Sequence, residues 1–145
     1  MYESLIKYLS LLSDDSIGNW IIDKENDGTP EHPIQMPYVS YSEIVHQFID
    51  DIYEFVDNNK EMELNHYSDI LNANGIEWRT ESMTNTAVND LDAKCVIALI
   101  VGAVRAERFC DGALLSFFKS GTIKKWLNRL SDLDKRQLQK NTYRR

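Results

Sequence analysis

One stretch of the chain decides the fold: residues 90–112, which read DLDAKCVIALIVGAVRAERFCDG. Almost nothing polar interrupts its apolar part, from Cys95 to Val104. A helix that is apolar on nearly every side is buried at the centre of a protein. The apolar part is also too short to cross a bilayer, which takes about 20 apolar residues. We therefore predict a central buried helix from Asp90 to Arg108.

Helical spacing of apolar residues indicates further helices around the central one. The predicted segments are Tyr2–Leu12, Tyr41–Asp57 with Ser42 as N-cap, Glu63–Asn74, Ala113–Lys119 and Ile123–Gln137. Residues 80–86 are predicted to form a polar connector. Helices joined by short links pack as bundles. The expected fold class is mainly α, a compact bundle of five or six helices.

The loosest region is residues 23–37, which hold all three prolines and the turn signal Asp27-Gly28. We expect a mobile loop here. The flanking residues also suit a small two-stranded accessory near residues 19–38, in which Trp20–Ile22 pairs with Ile34–Met36. A chain of 145 residues fits a single domain, 1–145, and its basic end, 138–145, is expected to fray.

The formal net charge of the chain is −7. This charge argues against direct binding to nucleic acid, which needs a basic face, and against an anionic membrane surface. Acidic residues dominate from Asp14 to Asp92, and basic residues dominate from Lys119 to Arg145. The basic last helix is therefore expected to pack against the acidic body or to meet an anion.

The two cysteines, Cys95 and Cys110, do not form a disulfide framework at this number and spacing. Cys95 lies within the apolar run and is expected to be a small core residue. The first residues lack the basic segment and long apolar run of a signal peptide. These features predict a cytoplasmic protein.

A cluster of charges follows the central helix directly: Arg105, Glu107, Arg108 and Asp111, with Phe109 among them. Charges at the end of a buried helix are costly unless each has a partner. One interpretation is a ligand site, in which the two arginines clamp a carboxylate or phosphate and an acid serves as general acid or base. The other is a salt-bridge knot, with Phe109 in the core and Asp111 capping the next helix.

The other candidate sites have less specific sequence patterns. Glu43, His46 and Asp50 share one helical face and could hold a metal, although a solvated charged face has the same pattern. Nucleophile and phosphate-loop motifs are absent from the sequence, so we predict no cofactor and leave open whether the protein is an enzyme. Aromatic residues beside the proline loop could line a groove: Trp20, Tyr38, Tyr41 and Trp78.

The charged cluster also resembles a family signature, Arg105-x-Glu107-Arg108-Phe109-x-Asp111-Gly112, followed by the Leu-x-Arg-Leu helix at Leu127–Leu130. Upstream, Pro37-Tyr38-Val39-Ser40-Tyr41-Ser42 precedes a helix as it does in that family. With these two motifs, the chain is similar to an uncharacterised bacterial family, a domain of unknown function, over roughly Met36 to Leu130. Ala106 replaces an expected glycine. The resemblance implies one intact domain and marks the cluster, but it implies no activity.

Three functions fit these features. The first is a small soluble binding or regulatory module that acts through a protein partner. The second is a binding protein or enzyme for an anion or nucleotide-type ligand, which uses the Arg105–Asp111 cluster. The third is an acidic, phage-type inhibitor that occupies the nucleic-acid site of another protein through Asp50, Asp51, Glu54 and Asp57. The oligomeric state stays open.

Overall fold

The computed structural model describes residues 1–12 and 17–143. Its helices, α1 to α8, are Glu3–Ile6, Tyr8–Leu11, Glu43–Asn58, Tyr67–Ala73, Thr80–Asn85, Ala93–Ala106, Ala113–Lys119 and Thr122–Tyr143. Two strands, β1 (Gly18–Ile21) and β2 (Tyr38–Tyr41), pair antiparallel. The mainly α fold class and the small two-stranded sheet are both confirmed.

The central helix is α6, and every residue from Cys95 to Val104 is buried. Its start lies later than predicted because Asp92 caps it, accepting a hydrogen bond from the Cys95 amide at 2.9 Å. Burial raises the pKa of the Cys95 thiol to about 11, so this cysteine is an inert core residue. The α4, α7 and α8 helices pack directly on α6.

The core around α6 is built from large side chains of the surrounding helices. From α3 come Phe48 and Ile52, and from α8 comes Trp126, all almost fully buried. Phe48 packs edge-on against Tyr8 at 5.1 Å and Phe118 at 5.6 Å between ring centroids. Each such buried side chain contributes about 1.5–3 kcal/mol of transfer free energy. The core therefore joins both ends of the chain.

Helix α8 is anchored by two of its basic residues. Lys125 donates to the carbonyls of Thr84 and Thr86, and Arg129 donates twice to the carbonyl of Leu91. These two cations thus fasten the connection before α6, rather than pairing with carboxylates of the acidic body. The backbone of α8 is helical to Tyr143, past the predicted end at Gln137. Fraying of 138–145 stays a prediction, and residues 144–145 lie outside the described residues.

The strand pairing was predicted at the wrong place. Strand β2 begins at Tyr38, and the register pairs Gly18 with Tyr41 and Ile21 with Tyr38, not Ile34–Met36 with Trp20–Ile22. The three prolines explain the shift, since proline lacks an N–H and restricts the residue before it. The connecting loop is organised by Asp23, which accepts hydrogen bonds from the amides of residues 25, 26 and 35. Mobility of residues 23–37 stays a prediction.

Three local details also differ from the sequence prediction. Ser42 precedes α3 as predicted, but its hydroxyl is buried and makes no capping bond. The predicted helix from Glu63 starts as one 3₁₀ turn, Leu64–His66, with Glu63 at φ 54° before it, and becomes α-helical only at Tyr67. The predicted connector is helix α5, whose Met83 is buried against α6. Among the described residues, no helix is long and apolar enough to cross a membrane.

Candidate functional site

The turn after α6 is held by the carboxylate of Glu107. This carboxylate accepts hydrogen bonds from the amides of Gly112 at 2.9 Å and Leu114 at 3.0 Å. It also accepts the hydroxyl proton of Tyr41 at 2.6 Å. A half-buried carboxylate that accepts several hydrogen bonds is well compensated. The geometry therefore favours a positioning role for Glu107 over acid–base chemistry.

Tyr41 links the small sheet to this turn. Its hydroxyl donates to Glu107 and accepts a hydrogen bond from the Leu115 amide at 2.9 Å. Burial, and then the hydrogen bond to Glu107 and the negative charge of that carboxylate, raise the pKa of Tyr41 well above its ordinary value. The phenol therefore stays protonated and holds the end of β2 against the start of α7.

Gly112 is required at the end of the charged cluster for two reasons. Its φ is +89°, a left-handed conformation that costs other residues roughly 1–2 kcal/mol. A Cβ at this position would lie 2.3 Å from Cζ2 of Trp20. The indole of Trp20, on β1, therefore packs directly on the backbone of the turn.

The two arginines of the cluster lie over one aromatic ring. The guanidinium carbons of Arg105 and Arg108 are 5.1 Å and 5.9 Å from the ring centroid of Tyr53, on α3. Among the described residues, neither arginine forms an ion pair or a side-chain hydrogen bond. The Nε atom of Arg105 is buried and has no acceptor. The described residues therefore do not form the salt-bridge knot of the second interpretation.

A row of aromatic rings leads away from the arginines. Tyr67 packs edge-on against Trp78 at 5.2 Å, and Trp78 packs edge-on against Phe109 at 5.7 Å. The Trp78 indole also donates to the Gly102 carbonyl at 2.9 Å, through the gap left by the small residues of α6. Phe109 is 77 % exposed, so its predicted place in the core is wrong.

A cavity of about 420 Å³ adjoins Trp78 and Phe109. Its apolar wall includes Met83 and Phe117, and its polar groups include Asp111. Asp111 does not cap α7, as one interpretation predicted, because Glu107 holds the amides there. Asp111 is exposed and lies next to Cys110, which is an exposed free thiol. The role of Asp111 as a general acid or base stays a prediction.

The remaining predicted candidates do not converge on a site. Glu43, His46 and Asp50 are exposed on α3, and the described residues contain no group of three or more potential metal ligands. In the acidic segment of α3, Asp51 is engaged by the hydroxyl of Tyr8 and the ammonium of Lys7. The acidic stripe required by the inhibitor hypothesis is thus interrupted.

The predicted aromatic groove is divided between two places. Trp20 and Tyr41 contact the turn at Glu107–Gly112, whereas Trp78 lies beyond that turn against α6. Tyr38 is exposed. The sequence analysis assigned no site role to Tyr53, whose ring contacts both arginines. One feature of the sequence could have indicated Tyr53: it is an aromatic residue of α3 that directly follows the buried Ile52.

Comparison with protein-family models gives a match. A family model described as "Family of unknown function (DUF6508)" matches residues 2–136. Curated proteins and solved structures show no match to the chain. The site must therefore be interpreted from its own geometry.

Proposed function

Since the chain belongs to the family of unknown function DUF6508, we propose its function from the site: it binds a small anion between Arg105 and Arg108. The ligand carries a phosphate or a carboxylate group. The observation that carries this proposal is the Nε–H of Arg105, which is buried and has no acceptor among the described residues. A buried donor without an acceptor costs about 1–3 kcal/mol, and an anion oxygen would remove that cost.

The arrangement of the arginines supports this ligand class. A guanidinium is always protonated and presents its donors in a planar fork that matches carboxylate and phosphate oxygens. The ring of Tyr53 supports both guanidiniums by cation–π contact, which fixes their positions without consuming their N–H groups. Both cations thus lie at one aromatic ring, and carboxylates of the described residues do not occupy their N–H groups.

The surrounding charges do not neutralise the arginines. Glu107, the nearest acid in the sequence, has its oxygens occupied by two amides and the Tyr41 hydroxyl. Burial raises the pKa of Tyr67, and the positive charges of Arg105 and Arg108 partly offset that rise. The Tyr67 hydroxyl therefore lies within the positive field of the arginines and offers a further donor to an anion.

The acidic surface favours a small ligand over a polymer. A nucleic acid would bring many phosphates against a chain of net charge −7. A small anion needs only the local positive field of two arginines. A reaction on that ligand is not part of the proposal.

Thermal unfolding with inorganic phosphate, pyrophosphate and citrate tests this function. A ligand at ten times its Kd adds about 1.4 kcal/mol of stability, which corresponds to a rise of about 4 °C in Tm. Wild type and Arg136→Ala, an exposed arginine of α8, should respond equally, while Arg108→Ala should lose the response. Equal responses in all three proteins would contradict the proposal.

A second candidate, docking of a protein partner, is favoured by a different surface. The β1–β2 ribbon and its loop expose six large apolar side chains: Trp20, Ile21, Ile22, Ile34, Met36 and Tyr38. Ile21, Ile22, Met36 and Tyr38 line one cavity, and clustered exposed apolar residues mark interaction surfaces. The test compares wild type with Ile22→Ser/Met36→Ser as baits. A partner held by wild type and lost by the variant supports docking here, and a partner held by both places the interface elsewhere.

A further inference from the structure

The aromatic row beside the arginines indicates what the anion is attached to. We propose that the ligand is a nucleoside monophosphate, with its phosphate on Arg105 and Arg108 and its base against Phe109 at the adjoining cavity. This inference rests on the proposed function and specifies its ligand class.

The exposure of Phe109 is the first step of the argument. Its ring is 77 % exposed and is held edge-on by Trp78 rather than buried. Exposed aromatic faces are the platforms on which nucleic-acid bases stack, because every base has a π-face. Phe109 thus presents a solvated ring at the position that directly follows Arg108 in the chain.

The spacing along the chain is the second step. Phe109 follows Arg105 by four residues, and the amides of Arg108 and Phe109 donate to the carbonyls of Arg105 and Ala106, so the backbone between them stays coiled as a helical turn. One turn advances the backbone by about 5–6 Å. A pentose joins phosphate and base over a comparable reach, whereas inorganic phosphate or citrate would leave the ring unused.

The cavity is the third step. Its volume of about 420 Å³ lies within the usual range for small-ligand sites, about 300–1,000 Å³. The lining combines apolar groups of Trp78, Met83 and Phe117 with the carboxylate of Asp111 and the hydroxyl of Ser116. Apolar walls with a few polar groups are typical of ring-binding pockets, and Asp111 can accept a hydrogen bond from an exocyclic amine.

Calorimetric titration with AMP and with inorganic phosphate tests the inference. The proteins are wild type, Phe109→Ala, Arg108→Ala and the control Met36→Ala, which removes a similarly exposed apolar side chain that does not line the cavity. Phe109 and Arg108 are both exposed, so these truncations leave the core intact. Unfolding curves of each variant check that it is folded.

We expect wild type and Met36→Ala to bind AMP at least tenfold more tightly than phosphate. Phe109→Ala should lose about tenfold in AMP affinity and keep its phosphate affinity, because one stacked base contributes on that scale. Arg108→Ala should lose both ligands.

Two other outcomes separate the two proposals. If AMP and phosphate bind equally well and Phe109→Ala changes neither, the anion site stands and the nucleotide inference is overturned. If wild type binds neither ligand, both proposals fail.

Discussion

The hydroxyl of Tyr41 donates to the carboxylate of Glu107 at 2.6 Å, across 66 residues of sequence. The same hydroxyl accepts the Leu115 amide at 2.9 Å. This contact fastens the β1–β2 ribbon to the turn that follows the central helix, and it places Trp20 on Gly112. It also occupies the carboxylate that lies between the two arginines in the sequence, so this carboxylate does not pair with them.

Replacing Tyr41 by Phe should destabilise the protein by about 1–3 kcal/mol. The change leaves the Leu115 amide without an acceptor and removes a hydrogen bond to a charged group. Urea unfolding followed by circular dichroism measures the loss. Tyr38→Phe is the matched control, since Tyr38 is exposed on the same strand, and its stability should stay within about 0.5 kcal/mol of wild type. Equal losses in both variants would refute the role of Tyr41.

Alkaline pH should destabilise wild type more steeply than Tyr41→Phe. The pKa of Tyr41 is raised in the folded state, chiefly by burial and then by Glu107, whereas the unfolded chain releases this proton near pH 10. Above that pH the folded state binds more protons than the unfolded state, so the free energy of unfolding falls as pH rises. Urea unfolding between pH 9 and about 11 should show a slope shallower by about 1 kcal/mol per pH unit in the variant, after allowing for solvent screening. Identical slopes in wild type and Tyr41→Phe would show that Tyr41 has the same pKa in the folded and the unfolded state.

Gly112→Ala should cost clearly more stability than Gly75→Ala. Both glycines have positive φ, +89° and +75°, and share the backbone cost of about 1–2 kcal/mol. Only the Cβ at residue 112 meets a neighbour, Cζ2 of Trp20 at 2.3 Å, while residue 75 has open space. Chemical unfolding gives the difference, and Trp20 fluorescence should shift only in the first variant. Equal costs would mean that Trp20 does not pack on this turn.

Arg129→Met should destabilise the protein by about 1.5–3 kcal/mol through loss of its two hydrogen bonds to the Leu91 carbonyl. The aliphatic part of the side chain is kept, so the loss reports the guanidinium. Arg136→Met removes an exposed arginine of the same helix and should change stability by less than about 0.5 kcal/mol. A small effect at Arg129 would show that α8 is held by its apolar face alone.

The central helix could be predicted because the apolar residues that bury it are consecutive in the sequence. Ten consecutive residues from Cys95 to Val104 have no place but the core, and the structure buries all of them. Helix α5 was missed because its six residues contribute only one buried side chain, Met83, so tertiary contact and not periodicity stabilises it. The sheet was placed too early because proline and turn signals mark a loop but do not fix a register.

The candidate site was predictable in its residues but not in its chemistry. Arg105, Glu107 and Arg108 are conspicuous after an apolar helix, yet the sequence does not say which charge finds a partner inside the fold. Glu107 is satisfied by amides that follow it and by Tyr41, and the arginines rest on Tyr53. Both tyrosines come from segments more than 50 residues away, and only the tertiary fold brings them to the cluster.

The most direct test of the anion site is a titration with inorganic phosphate, followed through the Nε–Hε signals of the arginines in ¹⁵N–¹H spectra. Arg129 is the internal reference, since its Nε–H already donates to the Leu91 carbonyl. The anion site predicts that the signals of Arg105 and Arg108 shift and saturate together while that of Arg129 stays in place. Signals of Arg105 and Arg108 that move no more than that of Arg129 would contradict it.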